Sequence, residues 1–122
     1  MGYDLHITRK QNWFDEGGED ISLVEWTALV KSDPSMRLDG FAETQVGGGK
    51  TLRMNNEGLS VWTGWSQHVE GNSAWFNPGG GNVVVKNPDP EIRKKMWQLA
   101  QMLSAKVQGD EGELYGADGN PI

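Results

Sequence analysis

An α+β fold, a mainly antiparallel sheet of about five to six strands with two helices packed on one face, follows from three observations in this sequence. Short segments of alternating apolar and polar residues recur along the chain, as in Tyr3-Asp4-Leu5-His6-Ile7 and Leu59-Ser60-Val61-Trp62, which is the period of half-buried strands. Two segments open with helix start signals and continue with apolar residues at helical spacing. Glycine-rich turns separate the strand-like segments, and two helices cover a sheet most economically from one side.

The first strand sets Tyr3, Leu5 and Ile7 against Asp4, His6 and Thr8 on its opposite face. Asp15-Glu16-Gly17-Gly18-Glu19-Asp20 then breaks the alternation with four carboxylates and two glycines, and reads as a solvated loop. The first helix starts at Ser22. Ser22 and Glu25 have the capping-box spacing, and Ile21 and Trp26 hold the two positions of a hydrophobic staple. Leu23, Trp26, Leu29 and Val30 supply its apolar face, and Asp33-Pro34 closes it.

Met36-Arg37-Leu38, Leu52-Arg53-Met54, Leu59 to Trp62 and Val83-Val84-Val85 read as strands. Gly47-Gly48-Gly49 and Asn77-Pro78-Gly79-Gly80-Gly81-Asn82 join them, and the lengths of these runs predict flexible hairpin tips, not tight two-residue turns. In the second helix Asp89 caps, Pro90 suits the first position and Glu91 complements the dipole. Ile92, Met96, Leu99 and Leu103 form its buried stripe, with Arg93, Lys94 and Lys95 pointing mostly elsewhere. Lys106-Val107-Gln108 and Glu113-Leu114-Tyr115 flank Gly109-Asp110-Glu111-Gly112 as a last strand or hairpin, and residues 116–122 are expected as a flexible tail. No linker, repeat or low-complexity tract divides residues 1–122, so the chain reads as a single domain.

Composition narrows the function. The chain has no cysteine, which removes disulfides, thiolate zinc sites and thiol catalysis, and fits a cytoplasmic protein. A net charge of −6 disfavours nucleic acid and anionic membranes, which need clustered cations. Met1 to His6 lacks the pattern of a secretory leader, and no apolar run approaches the roughly 20 residues that span a bilayer.

No motif establishes catalysis. Gly49-Lys50-Thr51 resembles the end of a phosphate loop, but position 44 is Thr44 instead of the required glycine, and a strand follows instead of a helix. Asp4 and His6 share a strand face as a possible base and its orienter, without a nucleophile singled out beside them. The carboxylates of Asp15–Asp20 and Asp110–Glu113 do not match the calcium-loop spacing. Neither a cofactor nor a metal is expected, and the chain reads as a non-enzyme. Among the six tryptophans, Trp26 is expected in the core and Trp97 half-buried, while Trp62 and Trp65 face opposite sides of a strand, which leaves one of them exposed.

Several stretches resemble a group of small bacterial α+β proteins associated with immunity to antagonistic toxins: Tyr3 to Lys10, Trp13-Phe14-Asp15, Ile21-Ser22-Leu23 with Glu25-Trp26, Arg37-Leu38-Asp39-Gly40, Val61-Trp62-Thr63, Val85 to Asp89 and Ala105 to Asp110. The likeness spans nearly the full length. It implies a protein that binds and neutralises a cognate toxin by covering its active site or an adjacent surface. Under that reading Asp15, Glu16, Glu19 and Asp20, or Asp110, Glu111 and Glu113, steer a cationic partner, and an exposed member of Trp13, Trp62 and Trp65 anchors it. A general interaction domain, a small-ligand or carbohydrate binder and an unrecognised enzyme remain as alternatives.

Overall fold

Leu5 and Ile7 face one way from the first strand, His6 and Thr8 face the other, and all four are buried. That strand therefore lies in the middle of a covered sheet. The computed structural model describes residues 3–122 and, of Thr44, the backbone. Met1 and Gly2, read above as part of a start without a leader pattern, lie outside them. The elements run β1 (Asp4–Thr8), α1 (Leu23–Ser32), β2 (Met36–Leu38), β3 (Phe41–Val46), β4 (Lys50–Asn55), β5 (Ser60–Trp62), β6 (Trp75–Gly79), β7 (Asn82–Lys86), α2 (Pro90–Met102), β8 (Lys106–Gly109) and β9 (Leu114–Tyr115).

The fold is α+β with two helices, and the sheet is larger than expected. Seven strands join in the order β2-β5-β6-β7-β1-β8-β9, and β3 and β4 form a separate hairpin. Every pairing is antiparallel. β6 hands over between partners, pairing β5 through Trp75 and Phe76 and β7 through Asn77 to Gly79. Pro78 sits past the end of β5, where its missing N–H costs no ladder bond. The turn after β6 is tight, contrary to the sequence expectation: Gly79 pairs with Asn82, leaving only Gly80 and Gly81 between them. Their φ values of 61° and 83° supply the two left-handed positions that a two-residue hairpin of this hand requires.

Both helices contribute to one core with the Leu5 face of the sheet. Trp26 and Val30 from α1, and Ile92, Met96, Leu99 and Ala100 from α2, join Leu5, Ile7, Phe76, Val83, Val85 and Val107. The capping box forms as read, with Ser22 and Glu25 bonding each other's backbone N–H groups, and Asp89 caps α2 by accepting from Ile92 N at 2.8 Å. Lys95 departs from its expected outward position. It lies three residues from Ile92 and four from Leu99, so the apolar stripe carries it inward, where its ammonium meets Asp33 at 2.6 Å.

A polar loop covers the other face. Trp13 stacks on His6 at 3.9 Å and 3° between ring planes. Buried Gln108 accepts from Trp13 N at 2.7 Å and donates to Asn12 Oδ1 at 3.2 Å and Gly112 O at 3.0 Å. The segment from Gly116 on, expected loose, is tied back by Gly116 N to Asn120 O, Ile122 N to Leu114 O and Arg93 Nε to Gly119 O.

Candidate functional site

The β3–β4 hairpin is an arm that continues the β2–β5 ladder beyond the sheet. The chain kinks at Gly40, whose φ of 79° suits glycine, and the amides of Asp39 and Gly40 both donate to Leu59 O. The arm is amphipathic. One face carries Phe41, Glu43, Gln45, Thr51, Arg53 and Asn55, and its polar groups satisfy one another. Arg53 meets Glu43 at 3.2 Å, Asn55 Oδ1 at 2.9 Å and the Phe41 ring at 3.9 Å, while Gln45 donates to Thr51 at 3.1 Å. The opposite face carries Ala42, Val46, Leu52 and Met54, with Lys50 beside Val46 at its tip. Leu52 is 60% exposed and Met54 52% exposed, so the arm presents its apolar side to solvent.

The arm root and the acidic loop flank the same β6–β7 turn. Asn56 donates to Pro78 O at 2.9 Å from one side. From the other, Lys10 Nζ donates to Gly80 O at 2.9 Å and Ile21 N to Gly81 O at 2.8 Å. The sequence places Ile21 and Gly81 sixty residues apart, and the fold makes them neighbours.

Within the loop, the Asp15 carboxylate is turned inward and accepts from Asn12 N, while Glu16 is exposed. Glu19 lies 3.3 Å from Arg9 and Asp20 3.7 Å from Lys10, yet both acids stay mostly exposed while the two cations are folded in. Arg9 is spent on Glu25 at 2.6 Å, and its guanidinium holds the Glu25 carboxyl down at about 2. The loop's outward charge is therefore negative.

The second acidic segment has a different fate. Asp110 accepts from His6 Nε2 at 2.8 Å and from Asp4 N at 2.9 Å. His6 thus pairs with Asp110, and Asp4 contributes only its backbone to that carboxylate. Among the described residues the buried His6 Nδ1 and Trp13 Nε1 have no hydrogen-bond partner. Glu113 accepts from Tyr3 and Tyr115. It tucks against Gly109, where a Cβ would come within 2.5 Å of its carboxylate. Of this segment only Glu111 is exposed. Asp110 and Glu113 are half-buried and hydrogen-bonded within the fold.

The two tyrosines of the chain report on Glu113. Its hydrogen bond, with burial, pushes the Tyr3 phenol up to about 12. Burial and the Glu113 charge also raise Tyr115. Raised phenol values mean that the folded state favours the neutral forms. Their contribution is complete below the ordinary tyrosine value of about 10 and is lost as pH rises through the folded values. Ultraviolet titration of the folded protein is expected to show little tyrosinate at pH 10, and Glu113→Gln should move the curve down. A wild-type midpoint near 10 would contradict the Glu113 contacts.

The tryptophans fall differently from expectation. Trp62 and Trp65 are both half-buried against the core, and Lys95 Nζ lies 5.9 Å from the Trp62 ring. Trp65 follows β5 after the strand has ended, so strand alternation does not separate it from Trp62. Trp65 donates to Asp89 Oδ2 at 2.9 Å. With Trp75, Met54, Leu59, Val85 and Ile92 it lines a groove of about 320 Å³ at the end of the sheet. The exposed apolar character expected of one among Trp13, Trp62 and Trp65 lies instead on the arm, at Leu52 and Met54, and Trp75 is itself half-buried. Flanked by Ala74 and Phe76 in an otherwise polar stretch, Trp75 was the available signal for β6.

Among the described residues no group of three or more His, Asp or Glu side chains is placed to hold a metal ion. No described helix is long and apolar enough to cross a membrane. The chain matches no protein-family model, no curated protein and no solved structure.

Proposed function

We propose that this chain is an immunity-type protein that binds a cationic toxin in the cytoplasm and neutralises it by covering its working surface, without catalysing a reaction itself. The observation that carries the reading is the uncovered apolar face of the arm, set across one turn from an acidic loop. Leu52, Met54 and Val46 supply apolar contact area that the chain does not bury for itself. Glu16, Glu19 and Asp20 supply the attraction that speeds encounter with a basic surface. Asp15 turns inward to hold the loop, and Asp110 and Glu113 make their contacts with the start of β1 and with β9. Trp65 stands in the wall beside the arm, and Trp62 packs behind it.

The direct test is co-purification with the product of the neighbouring gene, together with protection of cells that express that product. No complex and no protection would remove the proposal. The arrangement also predicts separable mutant phenotypes. Glu16→Lys with Glu19→Lys should slow association and flatten its salt dependence, while stability stays within about 0.5 kcal/mol. Leu52→Ser should chiefly raise the dissociation rate. Stopped-flow mixing at two salt concentrations reads both, and unchanged rates in both variants would move the interface elsewhere.

A further inference from the structure

We propose that the groove between the arm, the start of β6 and the start of α2 is a binding site for a small aromatic carboxylate. Its volume of about 320 Å³ lies at the lower end of the roughly 300–1,000 Å³ typical of ligand sites, which suits a one- or two-ring molecule. Trp65, Trp75, Leu59, Val85 and Ile92 make apolar walls, and Met54 of the arm closes one side. Flat aromatic walls favour a flat ring over a branched chain.

The walls are fixed before anything binds. Asp89 Oδ2 accepts from the Trp65 indole at 2.9 Å and Asp89 Oδ1 accepts from Ile92 N at 2.8 Å, which locks the ring to the first turn of α2. The same bonds occupy both oxygens of the lining carboxylate. Lys86 is the remaining charged residue of the lining. It is exposed and makes no ion pair among the described residues, although Asp4 lies opposite it in the β1–β7 register. The groove's walls are thus mainly apolar, with the Asp89 carboxylate engaged by its two donors and one cation, Lys86, at the rim.

Two amides complete the recognition chemistry. Asn77 and Asn87 line the groove, and neither side chain is hydrogen-bonded elsewhere among the described residues. Asn87 holds a left-handed backbone with φ of 47°, a conformation that asparagine tolerates better than most residues. That turn sets Lys86, Asn87 and Asp89 side by side along the rim as β7 gives way to α2. An aromatic ring between the tryptophans would bring its carboxylate to the Lys86 ammonium and the amide N–H groups.

The test uses 2-naphthoate and its uncharged analogue 2-naphthylmethanol, titrated calorimetrically into the full chain. Saturable one-to-one binding of 2-naphthoate is expected. Lys86→Gln should weaken it roughly tenfold while leaving 2-naphthylmethanol nearly unchanged. Met54→Ala should weaken both probes, whereas Met102→Ala, on the far groove between the helices, should affect neither. Lys86 is exposed, so its substitution leaves the core intact and the comparison remains readable. Absence of saturable binding, or equal sensitivity of the two probes to Lys86→Gln, would overturn the proposal. Either outcome is independent of toxin neutralisation, which the co-purification experiment decides.

Discussion

Trp26→Ala is expected to lower stability by about 3–5 kcal/mol, the largest effect of any single truncation in the chain. Trp26 is fully buried, stacks near Phe76 at 6.1 Å and donates from Nε1 to Gly58 O at 2.8 Å. Three elements meet at this side chain: α1 carries it, β6 supplies Phe76, and Gly58 belongs to the return from the arm into β5. The fit is close enough that a Cβ at Gly58 would come within 3.0 Å of Trp26 Cδ1 and 2.7 Å of Leu23 Cδ1. Alanine would leave a large cavity and remove one of the two hydrogen bonds to Gly58 O, which also accepts from Ser60 Oγ at 2.8 Å. Since domains of this kind are stable by about 5–15 kcal/mol, the loss should bring the variant near unfolding. Trp26→Phe separates the two contributions, because it keeps much of the apolar volume but loses the indole hydrogen bond, at a cost of about 0.5–1.5 kcal/mol while Ser60 Oγ still donates to Gly58 O. Urea denaturation reads both, as a lower midpoint at unchanged slope. A loss under about 1 kcal/mol for the alanine variant would mean that the cavity collapses freely and that Trp26 does not hold the arm root.

Trp26 was legible because its signal is local. Ser22, Glu25 and Ile21 lie within five residues of it, and the devices they form are closed within one helical turn. Asp89 and Pro90 announced α2 in the same way. The strands were legible only where alternation was strong. β3 places Ala42 and Val46 on its apolar face and β6 runs through Asn77, Pro78 and Gly79, so neither presents a clean apolar alternation. Pro78 and Gly79 read as turn residues, and only the staggered handover of β6 between β5 and β7 makes them a strand.

The candidate site was hidden for a different reason. Its parts come together through pairings of large sequence separation. His6 and Asp110 stand 104 residues apart, and nothing near His6 distinguishes Asp110 from Asp4 as its partner. The acidic loop is exposed from Glu16 to Asp20, with Asp15 turned inward, but its place beside the arm depends on the β6–β7 turn packing against both. An amphipathic hairpin that leaves its apolar face open also contradicts the general rule that such faces are buried. Sequence patterning marks that face as apolar; only the fold shows that, among the described residues, no element covers it.

Lys95 follows from the same limitation, and it carries the second large prediction. Asp33→Ala is expected to destabilise by about 3 kcal/mol, because it leaves the Lys95 ammonium buried without its partner. The ammonium lies 2.6 Å from Asp33 and 3.2 Å from Ser35 Oγ, with a side chain about 10% exposed. Removing both charges should behave differently. Lys95→Met with Asp33→Ala replaces the cation by an apolar chain of similar length, next to Leu99 and the Trp62 ring, and should recover most of the loss. Burial alone would raise the Asp33 carboxyl, but hydrogen bonds from Lys95 and Ser35 outweigh it and hold it below the usual range. A depressed folded value means that the pair's contribution is complete above the ordinary aspartate value of about 4. It is lost as pH falls through the folded value, since protonation then removes the anion opposite Lys95. Thermal melts from pH 7 to pH 2 should show wild type losing more stability on acidification than the double variant does. Equal slopes, or an Asp33→Ala variant as stable as wild type, would show that water reaches Lys95 and that the ion pair contributes nothing to joining α1 and α2.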